Sequence, residues 1–224
     1  MTITLPNHLV LVDDQMIEDA ADTMRVEIPG IDPPHAHECL PLSQDRLPVK
    51  GAEPAMWCVA AHGGAGATTL AAQLAPVGDT GGVWPAHRDQ SPYCVIVTRA
   101  TVGGFKATNR LLRQYVCGLA GNVRVLAVVV IQASPKKPSK EIQRARALVE
   151  PIGNYAWEVI DIPFIDDYLN HTPDELALWT PGEEEEEKKK KQRHINLADR
   201  VPDRIESVGE QLMDLFTTDL SSKE

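Results

Sequence analysis

The sequence predicts an α/β fold: a small, mostly parallel sheet with helices on both faces. The first observation is alternation, because four short apolar runs are separated by segments with helical periodicity between residues 57 and 164. The second is the third run, at 122–132, which is valine-rich and apolar on both faces, as a parallel strand covered by helices must be. The third is a glycine-rich turn that joins the first run to the first helix.

Each element of this pattern has its own signal in the chain. The predicted strands are 57–61, 93–99, 122–132 and 156–164. The predicted helices are 68–75, 102–116 and 140–149. Pro76 ends the first helix, while Ser139 is the expected N-cap of the third and Pro151 stops it. The Gly- and Pro-rich stretch 76–92 is predicted to be a loop, and a short helix is expected to begin at Thr172 or Pro173.

The chain divides into four regions around this pattern. Residues 1–53 are proline-rich and lack sustained periodicity, so we expect a flexible arm that docks on the domain or on a partner. The α/β domain is assigned to 54–180. The EEEEEKKKK run within 181–199 is either a charged linker or a solvated helix with favourable i,i+4 pairs. Residues 200–224 are predicted to be an amphipathic helix and tail. Its apolar face comprises Ile205, Val208, Leu212, Leu215 and Phe216.

Composition excludes several classes of protein. A hydrophobic content of 43% is sufficient for a core in 224 residues, while the longest apolar run is about half of a membrane span. The N-terminus does not resemble a signal peptide, so we expect a cytoplasmic protein. The four cysteines contain no CxxC pair and are expected to be reduced, structural thiols. The HAHEC segment at 35–39 has metal-ligand types without a second ligand cluster, so no metal site is predicted.

The charge of the chain is unevenly distributed. The formal net charge is −10, yet residues 99–149 contain ten Lys and Arg and a single acid, Glu141. This segment is interpreted either as a surface that neutralises nucleic-acid phosphates or as two solvated helix faces shielded by acidic tails. The candidate nucleic-acid patch comprises Lys106, Arg110, Arg113, Lys136, Lys137, Lys140 and Arg144.

The glycine turn has the most specific chemistry in the sequence. Strand, glycine loop and helix is a layout that cradles a phosphate, because glycines let backbone N–H groups converge and the helix N-terminus adds positive potential. A working phosphate loop also has a lysine immediately before its threonine pair, and here that position is Ala67. The candidate phosphate-binding residues are His62, Gly63, Gly64, Ala65, Gly66, Ala67, Thr68 and Thr69.

The stretch HGGAGATTLAAQLA, at 62–75, resembles the deviant phosphate loop of the ParA/MinD group of SIMIBI-class P-loop ATPases, whose pattern is K-G-G-x-G-K-[ST]-[ST]. CVIVTRATVGGFKATNRLLRQ and VIDIPFIDD are similar to later segments of that group, and the likeness extends over roughly 55–168. The resemblance implies a reduced P-loop NTPase fold, ATP or ADP with Mg²⁺ as the ligand, and DNA contacts from the later helices. It places Gln132 and Pro163 on the adenine side.

The departures from the family pattern argue against catalysis. The two signature lysines fall on His62 and Ala67. Between Ala75 and the next strand the only acids are Asp79 and Asp89, and neither follows an apolar strand in the sequence pattern. Losing one charge-assisted hydrogen bond weakens phosphate binding by about 10–100-fold, and phosphoryl transfer depends almost wholly on such charges. No catalytic residue is therefore predicted.

Three functional hypotheses remain. The leading one is a catalytically degenerate P-loop-fold protein that acts as a binding or scaffold component alongside DNA-partitioning, positioning or conjugation machinery, with weak nucleotide or anion binding at 62–69. The first alternative is a ParA/MinD-like ATPase that borrows its missing lysine from a partner or a second copy of the chain. The second is a non-specific nucleic-acid-binding module that uses 99–149. A purely structural role for the loop, as a tight strand-to-helix turn, stands beside all three.

Overall fold

Eight strands and five α-helices form in the residues that the computed structural model describes, which are 9–27, 30–49, 51–152, 155–182 and 196–222. The strands are β1 (Leu9–Val10), β2 (Leu42–Ser43), β3 (Met56–Ala60), β4 (Val77–Asp79), β5 (Trp84–Pro85), β6 (Tyr93–Arg99), β7 (Arg124–Ile131) and β8 (Glu158–Ile162). The helices are α1 (Asp14–Glu27), α2 (Ala67–Gln73), α3 (Val102–Val116), α4 (Lys140–Arg146) and α5 (Asp203–Ser221).

The main sheet has five strands in the order β4-β3-β6-β7-β8, and every neighbouring pair is parallel. The predicted α/β class with a parallel sheet is confirmed. A smaller sheet has the order β1-β2-β5, with β1 antiparallel and β5 parallel to β2. The long apolar strands β6 and β7 lie at the centre of the main sheet, where helices cover both of their faces.

The helices lie on both faces of the main sheet and bury two separate cores. On one face α3 contributes Phe105 and Leu112, which pack with Trp157. On the other face α2 contributes Leu70, and α5 contributes Ile205, Val208 and Leu212. Successive residues of a strand point to opposite faces, so each central strand supplies both cores.

The sequence located most of the regular elements of the domain. The observed bounds of the predicted strands differ from expectation by at most two residues, and α3 has the expected bounds. Thr101 caps α3 by accepting a hydrogen bond from the Gly104 N–H at 2.9 Å. Ser139 caps α4 as predicted, and a 3₁₀ helix extends that element to Val149.

Residues 76–92 contain two short strands, which corrects the predicted loop. β4 pairs with β3 through the register Met56↔Val77 and Cys58↔Asp79. β5 pairs with β2 and not with the main sheet, and Trp84 on it is fully buried. Strands of two or three residues are too short to show an alternating pattern, so composition alone indicated a loop.

The N-terminal arm docks on the domain along residues 30–49, one of the two arrangements that the sequence left open. The Gln114 side chain bonds the N–H and the carbonyl of Leu40 at 2.9 and 2.8 Å. Gln90 binds the N–H and carbonyl of Leu47 in the same way, at 2.6 and 3.0 Å. The helix α1 runs for 14 residues within the region 1–53, where the sequence shows no sustained periodicity.

The C-terminal helix α5 is anchored to the sheet at its far end. The carboxylate of Asp219, which is 9% exposed, accepts hydrogen bonds from Arg124 Nε at 2.5 Å and from the Tyr93 hydroxyl at 3.1 Å. The predicted apolar face of the helix is buried or half-buried against the sheet. The charged run at 183–191 lies outside the described residues. None of the helices described has the length and apolar character to cross a membrane.

Candidate phosphate-binding site

The glycine loop joins the carboxyl end of β3 to the first turn of α2. Gly64 and Gly66 have φ values of +75° and +101°, which side chains rarely adopt, and Gly66 is the N-cap of the helix. The Leu70 N–H donates to the Gly66 carbonyl at 3.0 Å, which is the first hydrogen bond of the helix. The N–H groups of residues 67–69 come before it and have no partner within the helix. Because α2 has only seven residues, side chains beside the loop must supply most of the attraction for an anion.

Neither of the residues at the two lysine positions extends a side chain into this site. Ala67, at the lysine position, is 3% exposed and packs into the core between the sheet and α5. His62 is occupied on both ring nitrogens: Nδ1 lies 2.9 Å from the Gly63 carbonyl, and Nε2 accepts the Arg99 backbone N–H at 3.3 Å. His62 therefore ties the loop to β6 and does not extend toward a ligand.

Arg99 places a guanidinium beside the loop, and the sequence prediction missed it. Its Nε donates to the Gly64 carbonyl at 3.3 Å and its Nη1 to the Gln132 carbonyl at 3.4 Å. Its Nη2 would lie 4.0 Å from a Cβ built on Gly66. A guanidinium has more N–H donors than these contacts use. The sequence does contain a signal for Arg99, since it is the last residue of a predicted parallel strand. The carboxyl ends of neighbouring parallel strands lie at the same edge of a sheet, where ligands commonly bind.

A threonine–carboxylate pair lies at the start of α2. The Thr68 hydroxyl donates to Asp79 Oδ2 at 2.6 Å, and Asp79 Oδ1 accepts the Gly81 N–H at 3.0 Å. Asp79 is the last residue of β4, which lies in the stretch that was predicted to be a loop. The pairing of β4 with β3 brings a residue 11 positions away in sequence to the loop.

A cavity of about 120 Å³ opens beside the loop and reaches toward the ends of β7 and β8. Gly66, Thr69 and Arg99 line it, and the predicted adenine-side residue Pro163 is also part of its wall. Gln132, the second such residue, contacts the site through its backbone carbonyl, which accepts from Arg99. The structure thus brings both residues to the neighbourhood of the glycine loop.

The candidate nucleic-acid patch is partly covered by the arm. Arg110 forms an ion pair with Glu38 at 3.0 Å, and Arg113 donates to the backbone carbonyls of Asp32 and Pro33 at 2.5 and 3.1 Å. The remaining members are exposed on α3, on α4 and on the segment before α4. They are Lys106, Lys136, Lys137, Lys140 and Arg144.

The cysteines form no disulfide among the described residues. Burial raises the pKa of the Cys39 and Cys117 thiols to about 11. Burial also raises the pKa of Cys58, with a smaller contribution from the Asp79 carboxylate. Within the described part of the chain, no three His, Cys, Asp or Glu side chains are grouped as metal ligands.

Comparisons of the chain with protein-family models, with curated proteins and with solved structures found no match.

Proposed function

We propose that the protein binds a phosphate-bearing ligand at residues 62–69 and holds it without hydrolysis, as a binding or scaffold component. The observation that supports this most directly is the position of Arg99 against the glycine loop. The likeness of the loop to that of ParA/MinD-type ATPases supports the same ligand class. The deviations at His62 and Ala67 support binding without turnover, since the charges that stabilise phosphoryl transfer are replaced there.

The free energies of charge-assisted hydrogen bonds favour Arg99 as the main contributor to the affinity for phosphate. The lysine that is replaced at position 67 would contribute about 1.5–3 kcal/mol through a charge-assisted hydrogen bond. An arginine that reaches the same anion supplies a contribution of similar size, and its planar fork suits phosphate oxygens. Arg99 is half-buried, so solvent screens it less than a surface arginine.

Magnesium fits the donor set beside the loop. Thr68 Oγ1 and the Asp79 carboxylate would be its protein ligands, because Mg²⁺ prefers oxygen donors and is commonly held by one or two side chains together with phosphate oxygens. The metal would neutralise phosphate charge. The hydrogen bond from Thr68 to Asp79 keeps both side chains at the start of α2.

The test is isothermal titration with ATP, ADP and GTP, each with and without Mg²⁺. We expect Arg99→Gln to weaken binding by about tenfold or more, which corresponds to the loss of a hydrogen bond to a charged group. Arg88→Gln is the matched control, because the Arg88 side chain is 92% exposed. If none of the three nucleotides binds, or if Arg99→Gln binds as tightly as the control, the proposal is wrong. Measurable turnover by the protein alone would contradict the non-hydrolytic role.

The Thr68–Asp79 contact favours a second candidate, the partner-dependent ATPase. The sequence pattern alone does not predict an acid at the loop hydroxyl, and with Asp79 in that position fewer groups would have to come from a partner. In this case ATP turnover should appear only with DNA, a protein partner or a second copy of the chain, and Asp79→Asn should abolish it. Failure of every such pairing to produce turnover would remove this candidate.

A further inference from the structure

The strand β8 leaves one edge of the main sheet open. Among the strands described, β8 pairs only with β7. The Ile162 carbonyl points toward β7, because it accepts the Gln132 N–H at 2.9 Å. Backbone groups of successive strand residues point to alternate sides, so the N–H and carbonyl groups of Val159 and Asp161 point outward. An outward-facing edge of this kind can pair with another chain.

One end of this edge is already closed by an arginine. Arg204, in the first turn of α5, donates through Nε to the Asp161 carbonyl at 2.9 Å, and its Nη2 donates to the same oxygen. The contact agrees with the outward direction of the Asp161 backbone. Val159, two residues earlier, receives no such cap from the described residues. The open edge is therefore the amino-terminal half of β8.

A groove of about 320 Å³ lies beside the open edge, between β8 and α5. The residues of α5 in its wall are three or four positions apart, so they form one stripe along the helix. They are Gln211, Asp214, Leu215 and Thr218, and β8 contributes Glu158, Val159 and Ile160. Since one water needs about 10–15 Å³ of such space, the groove has room for roughly 20–30 non-hydrogen atoms, or about three residues of extended chain.

Both charged side chains in the groove wall are acidic. Glu158 and Asp214 are exposed, and neither forms an ion pair within the described part of the chain. The two arginines that adjoin the groove have other partners, because Arg124 binds the Asp219 carboxylate and Arg204 binds the backbone of β8. The groove therefore has negative charge that no neighbouring cation neutralises.

This charge distinguishes between possible occupants of the groove. A second copy that paired β8 with β8 about a twofold axis would bring the two acidic grooves together, because such an interface uses the same surface of both copies. Like charges on adjacent strands are destabilising, and nucleic-acid phosphates would meet the same repulsion. An extended chain with Lys or Arg side chains would gain both backbone hydrogen bonds and charge complementarity.

We propose that the open edge of β8 and the groove beside it bind an extended, cationic segment of a protein partner. The backbone of the partner adds a strand to the sheet at Val159. Its Lys or Arg side chains meet Glu158 and Asp214, and an apolar side chain between them packs on Leu215. The surface lies at the amino-terminal half of β8, whereas the glycine loop follows the carboxyl end of β3. This interaction therefore does not depend on the proposed phosphate binding.

The first experiment compares three fluorescein-labelled peptides of about eight residues on the unmodified full chain, by fluorescence anisotropy. One alternates Lys and Val, the second alternates Glu and Val, and the third alternates Lys and Pro. The third keeps the positive charge, but its proline residues have no N–H to donate. We expect the Lys–Val peptide to bind about tenfold or more tightly than either of the others. Equal binding of the Lys–Pro peptide would refute strand addition, equal binding of the Glu–Val peptide would refute the charge selection, and no binding of any peptide would refute both.

The second experiment places the binding on this groove. Asp214→Lys should weaken the Lys–Val peptide about fivefold or more, because it removes one attraction and adds one repulsion. Glu150→Lys is the matched control, since Glu150 is exposed, lies outside the groove wall and undergoes the same change of charge, so it should alter the affinity less than twofold. If Asp214→Lys binds the peptide as tightly as this control, the groove is not the binding site.

A third variant tests the backbone edge. Val159→Pro removes an outward N–H and leaves the hydrogen bonds to β7 in place, since proline is tolerated on edge strands. We expect it to weaken the Lys–Val peptide about fivefold or more, and thermal unfolding checks that it folds. A folded variant that binds normally would overturn strand addition, and Asp214→Lys decides the proposal if this variant does not fold. If sedimentation of the unmodified protein shows a dimer that Val159→Pro dissociates, the occupant is a second copy and the proposal is wrong.

Discussion

Alanine substitutions at the three loop glycines separate backbone strain from steric clash. A Cβ on Gly63 meets nothing within 4 Å, and its φ lies outside the left-handed region. A Cβ on Gly64 also meets nothing, but φ there is +75°. At Gly66 φ is +101°, and the added carbon would lie 2.7 Å from Cδ1 of Ile131. The series therefore adds one unfavourable feature at a time.

The structure predicts a graded loss of stability. Gly63→Ala should be neutral or should raise the free energy of unfolding by about 0.4–1 kcal/mol, because alanine restricts the unfolded chain. Gly64→Ala should lower it by about 1–2 kcal/mol, the cost of a side chain in the left-handed region. Gly66→Ala has this cost and must also displace Ile131, at about 0.5–1.5 kcal/mol for an unfavourable rotamer, so its loss should be about 1.5–3.5 kcal/mol.

Urea denaturation followed by circular dichroism measures these differences, provided that the denaturant slope is the same for all variants. Gly63→Ala is the internal control. Equal destabilisation by Gly63→Ala and Gly66→Ala would refute the reasoning, and so would a neutral Gly66→Ala. Because Ile131 and Arg99 adjoin the Gly66 position, Gly66→Ala should also weaken phosphate binding, whereas Gly63→Ala should affect it less.

Two further predictions concern stability away from the loop. Arg124→Ala should lower the free energy of unfolding by about 1–3 kcal/mol, because it removes a charged donor from the buried Asp219 carboxylate. The control Arg46→Ala, at an exposed ion pair, should cost less than about 1 kcal/mol in the same urea assay. Equal losses for the two variants would contradict the anchoring of α5. The free energy of unfolding should also fall as pH rises from about 8.5 toward 11. In the folded protein the Cys39 and Cys117 thiols have a pKa of about 11, whereas thiols of the unfolded chain have a pKa near 8.5. Between these two values the unfolded chain loses protons that the folded protein keeps, which favours unfolding. Urea midpoints at several pH values measure this decline, and a slope that is unchanged when both cysteines are replaced by alanine would contradict it.

The long elements could be predicted because their signals are local. β6 and β7 are continuous apolar runs, and α3 has both an N-cap at Thr101 and a periodic apolar face. β4 and β5 could not be predicted, since they have three and two residues and exist only through their pairing with β3 and β2. The docking of the arm was likewise one of two alternatives, because it depends on side chains such as Gln114 that lie far along the chain.

The same distinction applies to the candidate site. The glycine loop and the missing lysine at Ala67 were evident from consecutive residues. The other chemical groups were not, because Arg99 lies 35 positions after Gly64 and Asp79 lies 11 after Thr68. Asp79 lies in a Gly- and Pro-rich stretch whose composition predicts a loop, and this pattern does not indicate that the carboxylate reaches the site.

The sequence by itself determined the α/β class, the order of the long elements and the position of the glycine loop, because apolar periodicity, caps and glycine turns act over a few residues. Only the tertiary structure decided which charges stand at that loop. Parallel pairing aligned the carboxyl ends of β3, β4 and β6, so the Arg99 guanidinium and the Asp79 carboxylate came to lie beside Gly64 and Thr68. Contacts of this kind depend on strand order, and strand order results from packing of the whole chain.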